Sequence, residues 1–197
     1  MRELFAQSKT VLVLAAIVCV AFAFRIYKLG TLPPSPLIDE VSFGYNAYSI
    51  AQTGRDEHGN FFPLVFEAFG DQKLPAYGYT MVPFVKLLGL NTFAVRLPSA
   101  LIGVATVIAL YFFLKELRCS EAVSLLGSLT LAVSPWSLTL SRFAYESNLG
   151  LLLFLVGLIF ALKSLKHSWI WHVVLAGGWT PGSRVRRATC KNQRRYG

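Results

Sequence analysis

The sequence predicts an all-α, polytopic membrane protein, with four to five transmembrane helices and a long external first loop that carries amphipathic interfacial helices. Three observations predict it. Of 197 residues, 54% are hydrophobic and only 15% charged, whereas soluble domains sit near roughly 45–50% apolar and 25% charged. Mean hydropathy is +0.52. The apolar residues also come in long blocks, close to the ~20 residues that cross ~30 Å of hydrocarbon as a helix. Together these exclude intrinsic disorder and argue against an ordinary soluble enzyme.

The first block, Thr10–Phe24, is flanked by Lys9 and Arg25, and a span is placed near 10–29. A basic flank also opens a signal peptide, but no convincing small-x-small cleavage site follows, so an uncleaved first helix is expected. Further spans are placed near 92–114, 122–140 and 147–163. An incomplete fifth at 168–179 begins with Trp169, Ile170 and Trp171 and gives out short of membrane thickness.

The segment 30–91 holds six of the ten acids (Asp39, Glu40, Asp56, Glu57, Glu67, Asp71) together with turn signals at Pro33-Pro34-Ser35-Pro36 and His58-Gly59-Asn60. Within it, Asp39–Gln52 suits a short helix with Val41, Tyr45 and Tyr48 on one face, ended by Gly54 and lying on the membrane. Pro75–Gly89 is apolar but interrupted by Pro83 and Lys86, and reads as interfacial or re-entrant.

Basic residues set the topology. With the N-terminus cytoplasmic, Arg2, Lys9, Lys115, Arg118, Lys163 and Lys166 all fall inside, and the outer turn Ser134–Asn148 carries only Arg142. The segment 30–91 is then external. The net charge of +9 is misleading as a nucleic-acid signal: six basic residues and no acids occupy the last fourteen positions. Without them thirteen basic residues face ten acidic ones. If the fifth span were complete, this tail would be external, against the charge rule. We read residues 1–179 as the N-terminal part of a membrane domain and 180–197 as a basic tail that is not its natural continuation. A polybasic segment touching anionic lipid is the competing reading. Cys19, Cys119 and Cys190 are too dispersed for a disulfide framework or a metal site.

Four features carry chemistry. Asp39-Glu40 follows the first span: a carboxylate pair there supplies a general base or a ligand for a divalent cation, or else an N-cap and a first-turn acid. Lys73, before Pro75 and the tyrosines Tyr77 and Tyr79, sits at headgroup level, where it pairs with a lipid phosphate or merely snorkels. Arg96 lies near the outer end of the second span and is suited to hold a phosphate or the loop carboxylates. Arg142 and Glu146, spaced i,i+4, form a local ion pair or join the same outer site. His58, His167 and His172 are scattered without metal-ligand spacing, and no Gly-rich phosphate loop, nucleophile elbow or Cys/His pair is present.

In order along the chain stand Asp39-Glu40, Thr53-Gly54-Arg55-Asp56, Gln72-Lys73-Leu74-Pro75-Ala76-Tyr77, Asn91-Thr92-Phe93-Ala94-Val95-Arg96-Leu97-Pro98-Ser99 and Ser141-Arg142-Phe143-Ala144-Tyr145-Glu146. This ordered set resembles the N-terminal part of polyprenyl-phosphate-sugar-dependent glycosyltransferases, the multi-span enzymes that include protein O-mannosyltransferases and lipid A aminoarabinose transferases. The resemblance implies sugar transfer from a polyprenyl-phosphate-linked donor on the external face of the cell membrane. Asp39 is implied to be the base that activates the acceptor, and Glu40 to position acceptor or base. Lys73 is implied to hold the lipid-linked phosphate, with Arg96, Arg142, Tyr77 and Glu146 as supports of the substrate site. The acceptor, whether protein, lipid or glycan, stays open, no cofactor is implied with certainty, and no nucleic-acid partner is expected. Relatives have further spans, so the expectation is a truncated form. The rivals are a small non-catalytic membrane subunit or decayed gene product, and a transporter fragment, which predicts charges inside the spans.

Overall fold

In the computed structural model, residues 2–68 and 71–166 are described, with side chains at 8–67 and 72–164. The expected fifth span, the basic tail, His167, His172 and Cys190 lie outside the described residues. The chain divides into two compact units, 1–156 and 157–197. Everything below concerns the first unit, apart from the last ten described residues.

Helix α1 (Arg2–Ile26) contains the first apolar block, and its stretch Ser8–Ile26 is long and apolar enough to cross a membrane. A helix suits this segment because hydrocarbon offers no partners for backbone N–H and C=O groups, so they must pair within the segment. Helix α2 (Ile38–Thr53) follows the proline-rich exit. Its N-cap is Leu37, so Asp39 and Glu40 both sit in the first turn and the N-cap role open to Asp39 is not taken. Glu40 instead reaches back to accept the Leu37 N–H at 3.0 Å, closing half of a capping box. Gly54 ends the helix in the left-handed region at φ 72°, where a side chain is strained.

The face of α2 carrying Val41, Tyr45 and Tyr48 is exposed, as the spacing predicts. The opposite face carries Phe43, Ala47 and Ile50 into a core with Phe66, Tyr77, Met81 and Val85. That second apolar face was not anticipated. A polar clamp holds the loop after α2 against it: Asn46 donates to Glu57 at 2.8 Å and accepts the Glu57 N–H at 3.1 Å. Asp56, buried, accepts the N–H groups of His58 and Asn60.

A two-stranded antiparallel hairpin, β1 (Phe66–Ala68) and β2 (Asp71–Lys73), pairs Phe66 with Lys73. Helix α3 (Pro75–Leu88) starts with proline at its first position, where the missing N–H costs nothing. Its 14 residues extend about 21 Å, too short to cross a bilayer. It packs along α2 and against α4 (Thr92–Glu116), the central helix of the unit and a second candidate span.

The third expected span is not one straight helix. It is broken into α5 (Glu121–Val133) and α6 (Pro135–Arg142), bent by 55° at Ser134. Pro135 has no N–H to continue the ladder, and the residue before a proline is pushed out of the helical region; Ser134 has ψ 123°. Much of the expected outer turn is therefore helical. Helix α7 (Glu146–Lys166) supplies the last candidate span, Glu146–Ser164. Among the described residues there are thus three to four spans, an all-α polytopic architecture with one small hairpin.

Candidate active site

The first turn of α2, β2, the start of α4 and the α6–α7 turn converge at one end of the unit. Asp39 and Glu40 are consecutive residues with opposite fates. Glu40 is enclosed, its side chain 1% exposed, and Arg96 opposite is fully buried. The two form a bidentate pair, with Nε to Oε1 at 2.9 Å and Nη2 to Oε2 at 2.8 Å. Glu40 also accepts the N–H of Ala144 at 2.8 Å, besides that of Leu37. Arg96 places its remaining donors on the carbonyls of Leu29 (3.3 Å), Pro33 (2.9 Å) and Ser35 (3.2 Å). All five guanidinium N–H groups are thereby engaged within the protein. Phe143 lies over the guanidinium with 5.7 Å to the ring centroid.

Asp39, by contrast, keeps a side chain 35% exposed. One oxygen pairs with Lys73 and the other accepts the Tyr145 hydroxyl at 3.0 Å. The Lys73 hydrogen bond is the main influence holding the Asp39 carboxyl below the usual carboxylate range; partial burial opposes it and Tyr145 adds to it. Lys73 itself is 8% exposed along its side chain and lies 5.3 Å from the Phe43 ring centroid. Its stem is packed while its ammonium reaches Asp39, the carboxylate of the Asp39-Glu40 pair that keeps an open edge.

The other expected site residues sit differently. Tyr77 is fully buried, its hydroxyl donating to the Val95 carbonyl at 3.4 Å, and burial pushes its pKa well up. Arg142 binds the carbonyls of Phe24 (2.7 Å), in the last turn of α1 where the carbonyls lack helical partners, and of Tyr27 (2.8 Å) and Leu32 (3.0 Å) in the segment that follows. Glu146 opens α7 and lines a cavity of about 260 Å³ with Leu74, Ala76, Tyr77, Ser147, Leu149, Gly150 and Leu153. Two rim residues, Leu74 and Glu146, directly follow Lys73 and Tyr145 in sequence.

Two residues escaped the sequence reading. Tyr145 lay inside a quoted run, but nothing local showed that its hydroxyl meets Asp39, 106 positions earlier. Arg25 read as a flank of the first span, yet it is fully buried. It donates to Ser141 Oγ (3.2 Å), Ser137 Oγ (2.9 Å) and the carbonyls of Ala21 (3.2 Å) and Ala132 (3.1 Å). Its burial depends on the bend at Ser134, which brings α6 back toward α1. Among the described residues, no group of three or more His, Cys, Asp or Glu is arranged to hold a metal ion.

Fold and site define a class: a polytopic helical membrane protein that assembles an acidic and basic centre at one end of its helices. The family model for dolichyl-phosphate-mannose-protein mannosyltransferases matches residues 15–178. The chain belongs to that family, and so to the membrane glycosyltransferases. No curated protein and no solved structure matches it.

Proposed function

We propose that this chain takes part in transfer of a sugar, mannose by the family's description, from a polyprenyl-phosphate donor to an acceptor hydroxyl on the external face of the cell membrane. In this reading the N-terminus is cytoplasmic and residues 30–91 are external. The carrying observation is the pairing of the partly open carboxylate of Asp39 with Lys73, while the neighbouring Glu40 is tied into the protein.

The chemistry follows from that pairing. The acceptor oxygen bonds to the anomeric carbon, the bond from that carbon to the phosphate oxygen breaks, and its electron pair leaves with the polyprenyl phosphate. The acceptor proton passes to Asp39, the general base. Lys73 supplies positive charge to the departing phosphate. The cleft beside Leu74 and Leu153 offers the first isoprenoid carbons an apolar bed. A phosphate that shares the Lys73 ammonium, which has three N–H donors, weakens the main influence depressing the Asp39 pKa while Lys73 stays on Oδ1. Donor binding thereby strengthens the base at the moment it is needed. Lys73 supplies the charge in this scheme, so transfer is expected to survive chelation by EDTA; loss with EDTA and recovery with a divalent cation assigns that role to a metal instead.

The test is transfer from a synthetic polyprenyl-phosphate mannose to a Ser/Thr peptide, using the full chain in lipid nanodiscs. Asp39→Asn is expected to lower kcat by about 10²- to 10⁴-fold, far more than its loss of the Lys73 pairing lowers the thermal midpoint. Full activity of that variant overturns the assignment. Transfer retained by Asp39→Asn within a larger complex favours a non-catalytic membrane subunit.

A further inference from the structure

The base has a second neighbour that the resemblance leaves without a role. Asp39 and Glu40 of α2 meet the consecutive residues Tyr145 and Ala144 of the α6–α7 turn. The Glu40 carboxylate takes the Ala144 N–H, which fixes the backbone of the turn. Ala144 is fully buried, so the turn has no slack on that side. Phe143, one residue earlier, lies over Arg96. The segment Phe143-Ala144-Tyr145 is therefore held at three successive residues by Arg96, Glu40 and Asp39. Tyr145 is the only one of the three whose side chain reaches the exposed carboxylate.

We infer that Tyr145 is a positioning residue for Asp39: its hydroxyl holds Oδ2 while Lys73 holds Oδ1, so the carboxylate plane is fixed and its open edge faces the incoming acceptor hydroxyl. The inference rests on the reading of Asp39 as the base. A carboxylate held by one partner rotates about its Cβ–Cγ bond; one held at both oxygens does not. Misplacing a proton acceptor by about 1 Å costs as much as 10²-fold in rate. The groups facing Asp39 are Lys73 from β2 and Tyr145 from the turn, while Glu40 on its own helix is turned away to Arg96. Glu146 adds its charge around Tyr145. The hydrogen bond works in both directions: it lowers the Asp39 pKa and is the main influence raising that of Tyr145.

The experiment is an infrared titration of the full chain in nanodiscs, labelled with ¹³C-carboxyl aspartate. Asp39→Asn identifies the Asp39 band among those of Asp56 and Asp71. In Tyr145→Phe the Asp39 midpoint is expected to rise by about half a unit or more, and its carboxylate stretch to shift. In the peptide assay the same variant is expected to lose about tenfold in kcat, with acceptor KM changed less than about threefold. As the reciprocal measurement on a chain that keeps Tyr145, Asp39→Asn is expected to bring one tyrosine into titration earlier in the alkaline range. Coincident Asp39 midpoints and bands in the unchanged protein and Tyr145→Phe overturn the inference, as does an unchanged tyrosine titration. Absence of transfer in the unchanged protein counts against the proposed function alone, because the titrations read the contact without turnover.

Discussion

Asp39 and Glu40 differ by one methylene and one position, and their surroundings divide the work between them. Glu40 accepts four hydrogen bonds and faces a fully enclosed arginine, so its charge serves the architecture. Removing one partner of a buried pair leaves the other uncompensated, at a cost of about 3–5 kcal/mol. Glu40→Gln and Arg96→Met are each expected to lower the thermal midpoint in detergent strongly, and the double variant Glu40→Leu/Arg96→Met to recover part of the loss. Asp39 has a folded pKa below its ordinary value, so its contribution to stability is present above the usual carboxylate range. It is lost as pH falls through the depressed folded value. The stability difference between Lys73→Met and the unchanged protein is therefore expected to be largest near neutral pH and to fade as acid protonates Asp39, below the usual carboxylate range. A difference that grows on acidification contradicts the pairing.

Among the elements, the α5–α6 bend decides most. The bend leaves the Ala132 carbonyl near the end of α5 and the hydroxyls of Ser137 and Ser141 on α6, and Arg25 binds all three. Gly103 on α4 permits this approach. A Cβ there meets Ser141 Oγ and comes within 2.7 Å of Ser141 Cβ and 2.8 Å of Arg25 Nε. Gly103→Ala is expected to cost about 1–3 kcal/mol, read as a lower thermal midpoint, together with reduced transfer because α6 carries the turn that bears Tyr145. Gly78 plays the same part under the hairpin, where a Cβ strikes the Phe66 ring. Gly78→Ala is expected to disturb β2, and with it Lys73, more than it disturbs the spans.

At the scale of the molecule, the ends of the helices are chemically unlike. At the α4–α5 end, Lys115 in the last turn of α4 pairs with Glu121 at the start of α5 at 2.7 Å, and Arg118 lies in the connection between them. The other end carries the α2–α3 layer and the site. The proposed topology predicts that an impermeant maleimide labels Cys119 only in inverted vesicles, in a chain lacking Cys19 and Cys190. It also predicts that a cysteine replacing exposed His58 (His58→Cys) is labelled only from outside. Labelling of both from one side overturns the orientation. The exposed face of Val41, Tyr45 and Tyr48 is also expected to shift its tyrosine fluorescence when the protein moves from detergent to nanodiscs.

Hydropathy and residue order by themselves determined the all-helical membrane class, the bounds of α2 and α4 to within a few residues, and the resemblance that the family match bears out. These are local properties: apolar length, periodicity, caps and prolines act over one or two turns. The break within the third span is also written locally, in Ser134-Pro135, where the expected outer turn begins even though the apolar run continues across it to 140. Only the tertiary structure decided which charges are spent on the fold and which stay open. Arg25 reads as a flank of the first span, Arg96 as a holder of a phosphate or the loop carboxylates and Arg142 as a partner of Glu146 or of the outer site, yet each is bound to backbone carbonyls far away in sequence, and Arg96 to the loop carboxylate Glu40 as well. The meeting of Asp39 with Lys73 and Tyr145 spans separations of 34 and 106 residues. Such pairings are set by how the helices pack, because a buried polar group must find its partners wherever the fold brings them.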